Sequence, residues 1–159
     1  RPFNTFGPRQ SLRAVIPTII SQFINTNNKK IMIGNINSSR DFVYIKDTVD
    51  GLIKLMDAHK VVGEVINISS NNSYSIKDII KILSKYTKSK PQIVVQQKRK
   101  RTSELNKLRG SNEKIYKLAK WKPKHSAKAN FSKALIETYE WFSEPKNLKN
   151  YQDIKKYHI

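Results

Sequence analysis

Asn4, Arg40 and the pair Arg99 and Arg101 are the side chains here whose type and placement suggest specific binding chemistry. Asn4 lies on a turn after an apolar element, Arg40 directly precedes a strand, and Arg99 and Arg101 follow another strand. In open α/β structures, ligands gather in the crevice at the ends of strands. Two arginines and an amide arriving there from separate segments suit a diphosphate. The arginine fork donates two parallel hydrogen bonds to phosphate oxygens, which a lysine cannot do.

Other chemistries have less support in the sequence. His59, His125 and His158 are isolated, and none is paired with a carboxylate at metal-ligand spacing, so no metal site is expected. No nucleophile elbow accompanies a serine. Asp41, Asp47 and Asp50 cluster along the chain, but Asp47 reads as a helix cap and Asp50 as a solvated helix residue rather than as a dyad. The five glycines form neither a P-loop nor a G-x-G-x-x-G fingerprint. There is no cysteine, which excludes disulfide scaffolds, zinc ribbons and thiol chemistry.

The elements that must position the candidate residues follow from apolar spacing. Val15, Ile16, Ile19, Ile20, Phe23 and Ile24 predict a helix from about Ala14 to Asn25, with Pro17 in its first turn, where no N–H is needed. Lys30 to Gly34 and Asp41 to Ile45 read as strands. A helix then follows, capped by Asp47, with Val49, Leu52, Ile53 and Met56 on one face. Glu64 to Ile68 is apolar on both sides and reads as a buried strand. Ser75 and Asp78 resemble a capping box opening a helix with Ile76, Ile79, Ile80 and Leu83 inward. Beyond it come a strand at Ile93 to Val95, a basic turn at Lys98 to Arg101, a short helix from Asn112 to Leu118, and a last helix from about Ser126 to Phe142. The class is α/β, with residues 1–142 as one unit and 143–159 as a polar surface tail.

The chain has 159 residues and carries a formal charge of +19 from 31 Lys+Arg and 12 Asp+Glu. Residues 81–133 hold seventeen basic and two acidic side chains, a density that suggests phosphate-bearing ligands. Yet Lys, Ile and Asn, which share A/T-rich codons, make up 58 residues, so the lysines also read as composition. The seven arginines are the more informative cations. A basic nucleic-acid-binding or interaction module, or an inactive truncated remnant, is the alternative reading. Tyr86, Tyr116, Trp121 and Phe131 are interleaved in the basic segment, but they fall where core residues and element ends are expected, and no RNA-binding signature accompanies them. No apolar run approaches the roughly 20 residues of a membrane span, and no signal peptide is present, so a cytoplasmic protein without membrane or nucleic-acid partners is expected.

Several motifs together resemble one known family. They are Arg1-Pro-Phe-Asn-Thr-Phe-Gly-Pro-Arg-Gln10, Arg13-Ala-Val-Ile-Pro-Thr18, Ser39-Arg-Asp-Phe-Val-Tyr-Ile-Lys-Asp47 and Gly63-Glu-Val-Ile-Asn-Ile68. In order and spacing they resemble the NAD-dependent epimerase/dehydratase family, extended short-chain dehydrogenases acting on nucleotide sugars. The Arg-Gln-Ser-x-Arg-Ala-Val-Ile-Pro run, Ser103-Glu104 and Trp141-Phe142 are most similar to UDP-N-acetylhexosamine 4,6-dehydratases. The resemblance covers essentially the whole chain and implies a C-terminal half: the substrate-binding portion of a Rossmann-type fold with at least one late Rossmann strand, at Glu64 to Ile68. This agrees with a chain that begins at Arg rather than Met.

The resemblance further implies a UDP-linked sugar as ligand, NAD as cofactor held mostly by an N-terminal half, and a homodimer when full-length. Carried over position by position, Asn4, Val15, Pro17, Arg40, Ser75, Arg99 and Arg101 would contact the nucleotide sugar, and Pro2 and Phe3 would lie near the nicotinamide. Ser75 reads equally well as a plain helix cap. Lys100 stands where proline usually follows the second arginine, Phe6 where tyrosine is common, and Ser111 where aspartate is usual. Ser69-Ser70 stands in place of a common glycine-containing turn. Tyr86 and Lys90 spell the Tyr-x-x-x-Lys pair, but in the wrong order relative to every other motif. No catalytic residue is therefore assigned, and the chain alone is expected to be inert.

Overall fold

The computed structural model describes residues 1–25, 30–96 and 105–147. Arg99, Arg101, Ser103 and Glu104 lie outside the described residues, as does most of the expected tail. The chain runs β1 (Asn4–Phe6), α1 (Val15–Ile24), β2 (Lys30–Ile33), β3 (Ser39–Arg40), β4 (Phe42–Tyr44), α2 (Ile45–Met56), β5 (Tyr74–Ser75), α3 (Ile76–Thr87), β6 (Gln92–Val95), β7 (Lys107–Leu108), α4 (Glu113–Ala119) and α5 (Lys128–Ser143). This is an α/β architecture. β1 pairs with β4 and β2 with β6, both parallel, while β3 lies between antiparallel β5 and parallel β7.

The expected strand at 41–45 is present as Phe42–Tyr44, paired with β1, and Ser39–Arg40 just before it belongs to the three-stranded sheet, with Asp41 between them. Glu64 to Ile68 departs from the expectation of a strand buried on both sides. Val65 is 54% exposed, and the run pairs with the first residues of the chain around a parallel bridge between Ile68 and Pro2, the Phe3 N–H donating to the Ile68 carbonyl at 2.9 Å and the Ile68 N–H to the Arg1 carbonyl at 3.0 Å.

Apolar periodicity sets most of the helices. α1 buries Ile16, Pro17, Ile19 and Ile20, and Pro17 occupies its first turn as expected. α3 buries Ile76, Ile79, Ile80 and Leu83, and its capping box is complete. The Asp78 N–H donates to Ser75 Oγ at 3.1 Å, and the Ser75 N–H donates to Asp78 Oδ2 at 2.9 Å. α5 contributes Phe131, Ala134, Leu135, Thr138 and Phe142. Phe131 stacks on Tyr74 with ring centroids 3.8 Å apart and tilts against Phe6 at 5.3 Å, joining α5 to β5 and β1 in one core. A smaller core gathers Val43, Ile66, Ile68, Ile115 and Trp121.

α2 overturns one expectation. Asp47 does not cap its own helix: the N-cap is Tyr44, without a side-chain bond. Instead, the buried Asp47 carboxylate accepts from the Lys124 N–H at 3.1 Å and the His125 N–H at 2.8 Å, and pairs with His125 Nδ1 at 2.9 Å. Tying down the 124–125 turn satisfies more donors than a cap would. The buried face of α2 is accordingly Asp47, Thr48 and Gly51, and an added Cβ at Gly51 would come within 3.1 Å of Ile68 and 3.2 Å of Trp121. Val49, Leu52, Ile53 and Met56 share the other face, which is exposed.

The capping box yields a stability prediction. Hydrogen bonding from Ser75 pulls the Asp78 carboxyl below its usual range, helped by Lys128 and Lys81 and opposed by burial. Its stabilisation is therefore present above the ordinary carboxylate range and is lost as pH falls through the lowered value. Ser75→Ala is expected to cost about 1 kcal/mol at neutral pH and to flatten this acid limb, measured by urea unfolding between pH 3 and 7.

Candidate functional site

Three of the residues singled out from sequence line one cavity of about 440 Å³. Asn4 reaches it from β1, Val15 from the first turn of α1, and Arg40 from β3. Local structure fixes each of them. Asn4 Nδ2 donates to the Asp41 carbonyl at 3.1 Å. Arg40 is held in register between Tyr74 and Leu108, and its Nη1 donates to the carbonyls of Leu105 at 2.7 Å and Ser39 at 2.9 Å. Val15 sits where α1 opens, and that opening is bare: Ala14 offers no side-chain cap, and the first turn holds no acidic residue. Helix N–H groups left without a cap, and the positive end of the helix dipole, favour an anion.

Sequence reasoning missed Arg13, Gln10 and Asn35, which also line the cavity. Arg13 was already quoted in the motif before α1, yet nothing in its spacing distinguished it from a surface arginine. Gln10 Nε2 donates to the Thr5 carbonyl at 2.6 Å, closing the turn after β1, while its Oε1 is buried with no partner among the described residues. Among the described residues, the wall therefore carries two guanidinium groups and no carboxylate. A second hollow of about 450 Å³, between Asn71 and Tyr116, differs in holding Glu113 beside a single lysine, Lys122. The first cavity is the better anion site.

The other sequence candidates fall elsewhere. Pro17 is buried in the core rather than on the cavity wall, and Ser75 caps α3 while its neighbour Ile76 reaches the wall. Pro2 bridges Ile68, and Phe3 packs in the smaller core. Phe3 also backs onto Gly110, where an added Cβ would lie 2.6 Å from both Phe3 Cζ and Ser69 Cβ. Tyr86 stands near the end of α3 and donates its hydroxyl to Glu140 at 2.8 Å, away from the cavity. That bond pushes the phenol up, opposite to the shift a proton-transferring tyrosine requires. Among the described residues, no cluster of three or more His, Asp or Glu could hold a metal ion. No helix there is long and apolar enough to cross a membrane.

Comparison with known proteins identifies the family. The GDP-mannose 4,6-dehydratase family model matches residues 1–133. The chain belongs to the NAD-dependent epimerase/dehydratase family. It is 28% identical to GDP-6-deoxy-D-mannose reductase of Pseudomonas aeruginosa, over 88% of this chain and 47% of that protein. It is 29% identical to UDP-N-acetyl-alpha-D-glucosaminuronate decarboxylase of Bacillus cytotoxicus, over 92% and 46%. Among solved structures, UDP-glucuronic acid 4-epimerase from Bacillus cereus, in complex with UDP-glucuronic acid and NAD, superposes with a TM-score of 0.79 at 27% identity, over 91% of this chain and 44% of that one. The chain thus spans about half the length of the relatives it matches.

The close packing at Gly110 gives a test of the wall behind Phe3. Gly110→Ala has no room for its methyl unless Phe3 or Ser69 moves. It is expected to destabilise by about 1–3 kcal/mol in chemical denaturation, the usual cost of overpacking.

Proposed function

We propose that this chain is the nucleotide-sugar-binding half of an NAD-dependent nucleotide-sugar 4,6-dehydratase or epimerase, with the diphosphate seated in the cavity lined by Asn4, Arg13, Arg40 and the opening of α1. The observation that carries the reading is that Arg13 and Arg40 line one cavity, whose described residues include no carboxylate. The relatives support it: their names carry GDP-linked and UDP-linked sugars. A UDP-linked sugar is the ligand favoured by the motifs, and the exposed lysines of the chain would add long-range attraction to it.

Within this reading the residues bind and orient. The diphosphate is a handle remote from the reacting carbons, and fixing it aligns the sugar for chemistry elsewhere. Arg40 gives charged hydrogen bonds, Asn4 Nδ2 stays tied to the Asp41 carbonyl, and α1 presents its uncapped first turn. NAD, when bound, supplies oxidation of the sugar and return of the hydride. The described residues form no glycine-rich cradle between a strand and a helix and no Tyr/Lys pair on the cavity. They do not fit a dinucleotide on their own, so no step is assigned to them. Most of the cofactor's contacts would come from sequence beyond these 159 residues, with Pro2 and Phe3 near the nicotinamide, and the chain alone would bind without reacting.

Calorimetric titration of the chain with UDP, GDP and UDP-N-acetylglucosamine tests this. Saturable binding is expected, weakened in Arg40→Ala by about 1.5–3 kcal/mol, the worth of a charged hydrogen bond. Arg13→Ala is expected to weaken it in the same direction. Unchanged affinity in Arg40→Ala would overturn the assignment of that residue. Failure to bind any of the three ligands, together with steeply salt-dependent oligonucleotide binding, would replace the reading with that of a basic nucleic-acid module.

A further inference from the structure

Asp41 is fully buried, and among the described residues no cation pairs with it. Its charge is met by neutral donors. Oδ1 accepts from the Ser70 N–H at 2.8 Å and from Ser70 Oγ at 2.6 Å, and Oδ2 accepts from the Gly110 N–H at 3.1 Å. Its main-chain carbonyl accepts from Asn4 Nδ2 at 3.1 Å, and its preceding neighbour is Arg40. Asp41 is therefore linked through its backbone to Asn4 and Arg40, two polar residues that line the cavity from the sheets, and through its side chain to two turns distant in sequence.

A buried carboxylate is expensive unless its donors are well placed. Burial pushes the Asp41 carboxyl above its usual range, although the Ser70, Gly110 and Asn71 donors pull the other way. Asparagine would have the same shape, but its NH₂ would face an N–H or O–H donor on one side and lose that bond. An acceptor on both sides is what the Ser70 and Gly110 turns require.

We propose that Asp41 is a positioning residue for ligand binding: by holding the Ser70 and Gly110 turns, its carboxylate fixes Arg40 and Asn4 at one separation across the cavity. The inference rests on the nucleotide-sugar reading of that cavity. Asp41 itself touches no ligand. It acts through the two side chains whose backbone and amide it anchors.

The test compares the wild-type chain with Asp41→Asn and the milder Ser70→Ala, each alone and combined with Arg40→Ala, titrated with UDP at a temperature where circular dichroism shows every variant folded. Positioning predicts that Asp41→Asn raises the Kd about fivefold or more, Ser70→Ala in the same direction. It also predicts that Arg40→Ala costs markedly less in either background than in wild type, because its geometry is already lost. A purely structural role predicts a lower Tm, an unchanged Kd in the folded protein and strictly multiplicative effects, and that result overturns the proposal. Should Asp41→Asn fail to fold, Ser70→Ala decides. If wild type binds no nucleotide, the functional reading fails, and NMR judges the anchor separately. The Asn4 side-chain amide and Arg40 Nε–H signals should shift in Ser70→Ala while the core methyls of Ile19 and Ile79 stay put. Unmoved Asn4 and Arg40 signals would overturn the anchor.

Discussion

The peptide between Arg40 and Phe42 is the point at which two of the described sheets of this protein are joined. Residues 39–44 would form one extended strand if pairing alone decided. Instead the first two residues belong to the β5–β3–β7 sheet and the last three to the β1 sheet, and Asp41 takes up the change of partner. A carboxylate forced inside by its position must find donors, and the donors at hand belong to turns at Ser70 and Gly110. Those turns cannot then move independently of β3 and β4. Gly110 has no space for a side chain because Phe3 and Ser69 close over it, so the constraint extends to the start of the chain. The cavity inherits its shape from this junction, since β1, β3 and β4 supply Asn4, Arg40 and Phe42 to its wall.

The electrostatics act on two length scales. Most of the +19 charge is on exposed lysines, whose field is screened within about 8–10 Å in physiological salt. They can raise the rate at which an anion arrives but do little to decide its pose. The exposed pairs Lys46–Glu137 and Lys114–Glu64, both 2.6 Å long, add little stability for the same reason. Specific recognition depends on the few cations fixed against backbone. Arg40 is one cation so fixed, its guanidinium tethered to two carbonyls, which leaves it less side-chain freedom to lose in any contact it makes.

What the sequence made legible follows the same physics. α1, α3 and α5 were readable because each buries a stripe of large aliphatic or aromatic residues at helical spacing, and the Ser75–Asp78 box marked its own helix end. Asn4, Val15 and Arg40 were carried over from the family motifs, and all three line the cavity. Arg13 and Gln10 were not, because their roles depend on how the turn after β1 folds back, which no local pattern encodes. The Asp47–His125 pair was invisible for a related reason: its members are 78 positions apart, and a carboxylate early in a helix reads as a cap until the competing donors are known. The short strands paired over two or three residues carry too little sequence to show alternation. In α2 the periodicity was right, but periodicity identifies a face without saying what lies against it. Polar Asp47 and Thr48 are buried there because they have partners, and the apolar stripe faces outward.

The first residues of the chain show how one strand can serve two purposes. Side chains alternate across an extended backbone, so neighbours point to opposite faces. Phe3 turns toward Gly110 and the smaller core, while Asn4 turns toward the cavity and the Asp41 carbonyl. A ligand touching Asn4 therefore meets a face that Phe3 supports from behind. The same alternation places Phe6 in the main core against Phe131 and leaves Thr5 to bond Thr48 across to α2. The strand is thus pinned on both sides along its length. Asn4 is presented by a rigid element rather than by a loop, which is the condition a small polar side chain needs if it is to discriminate between ligands.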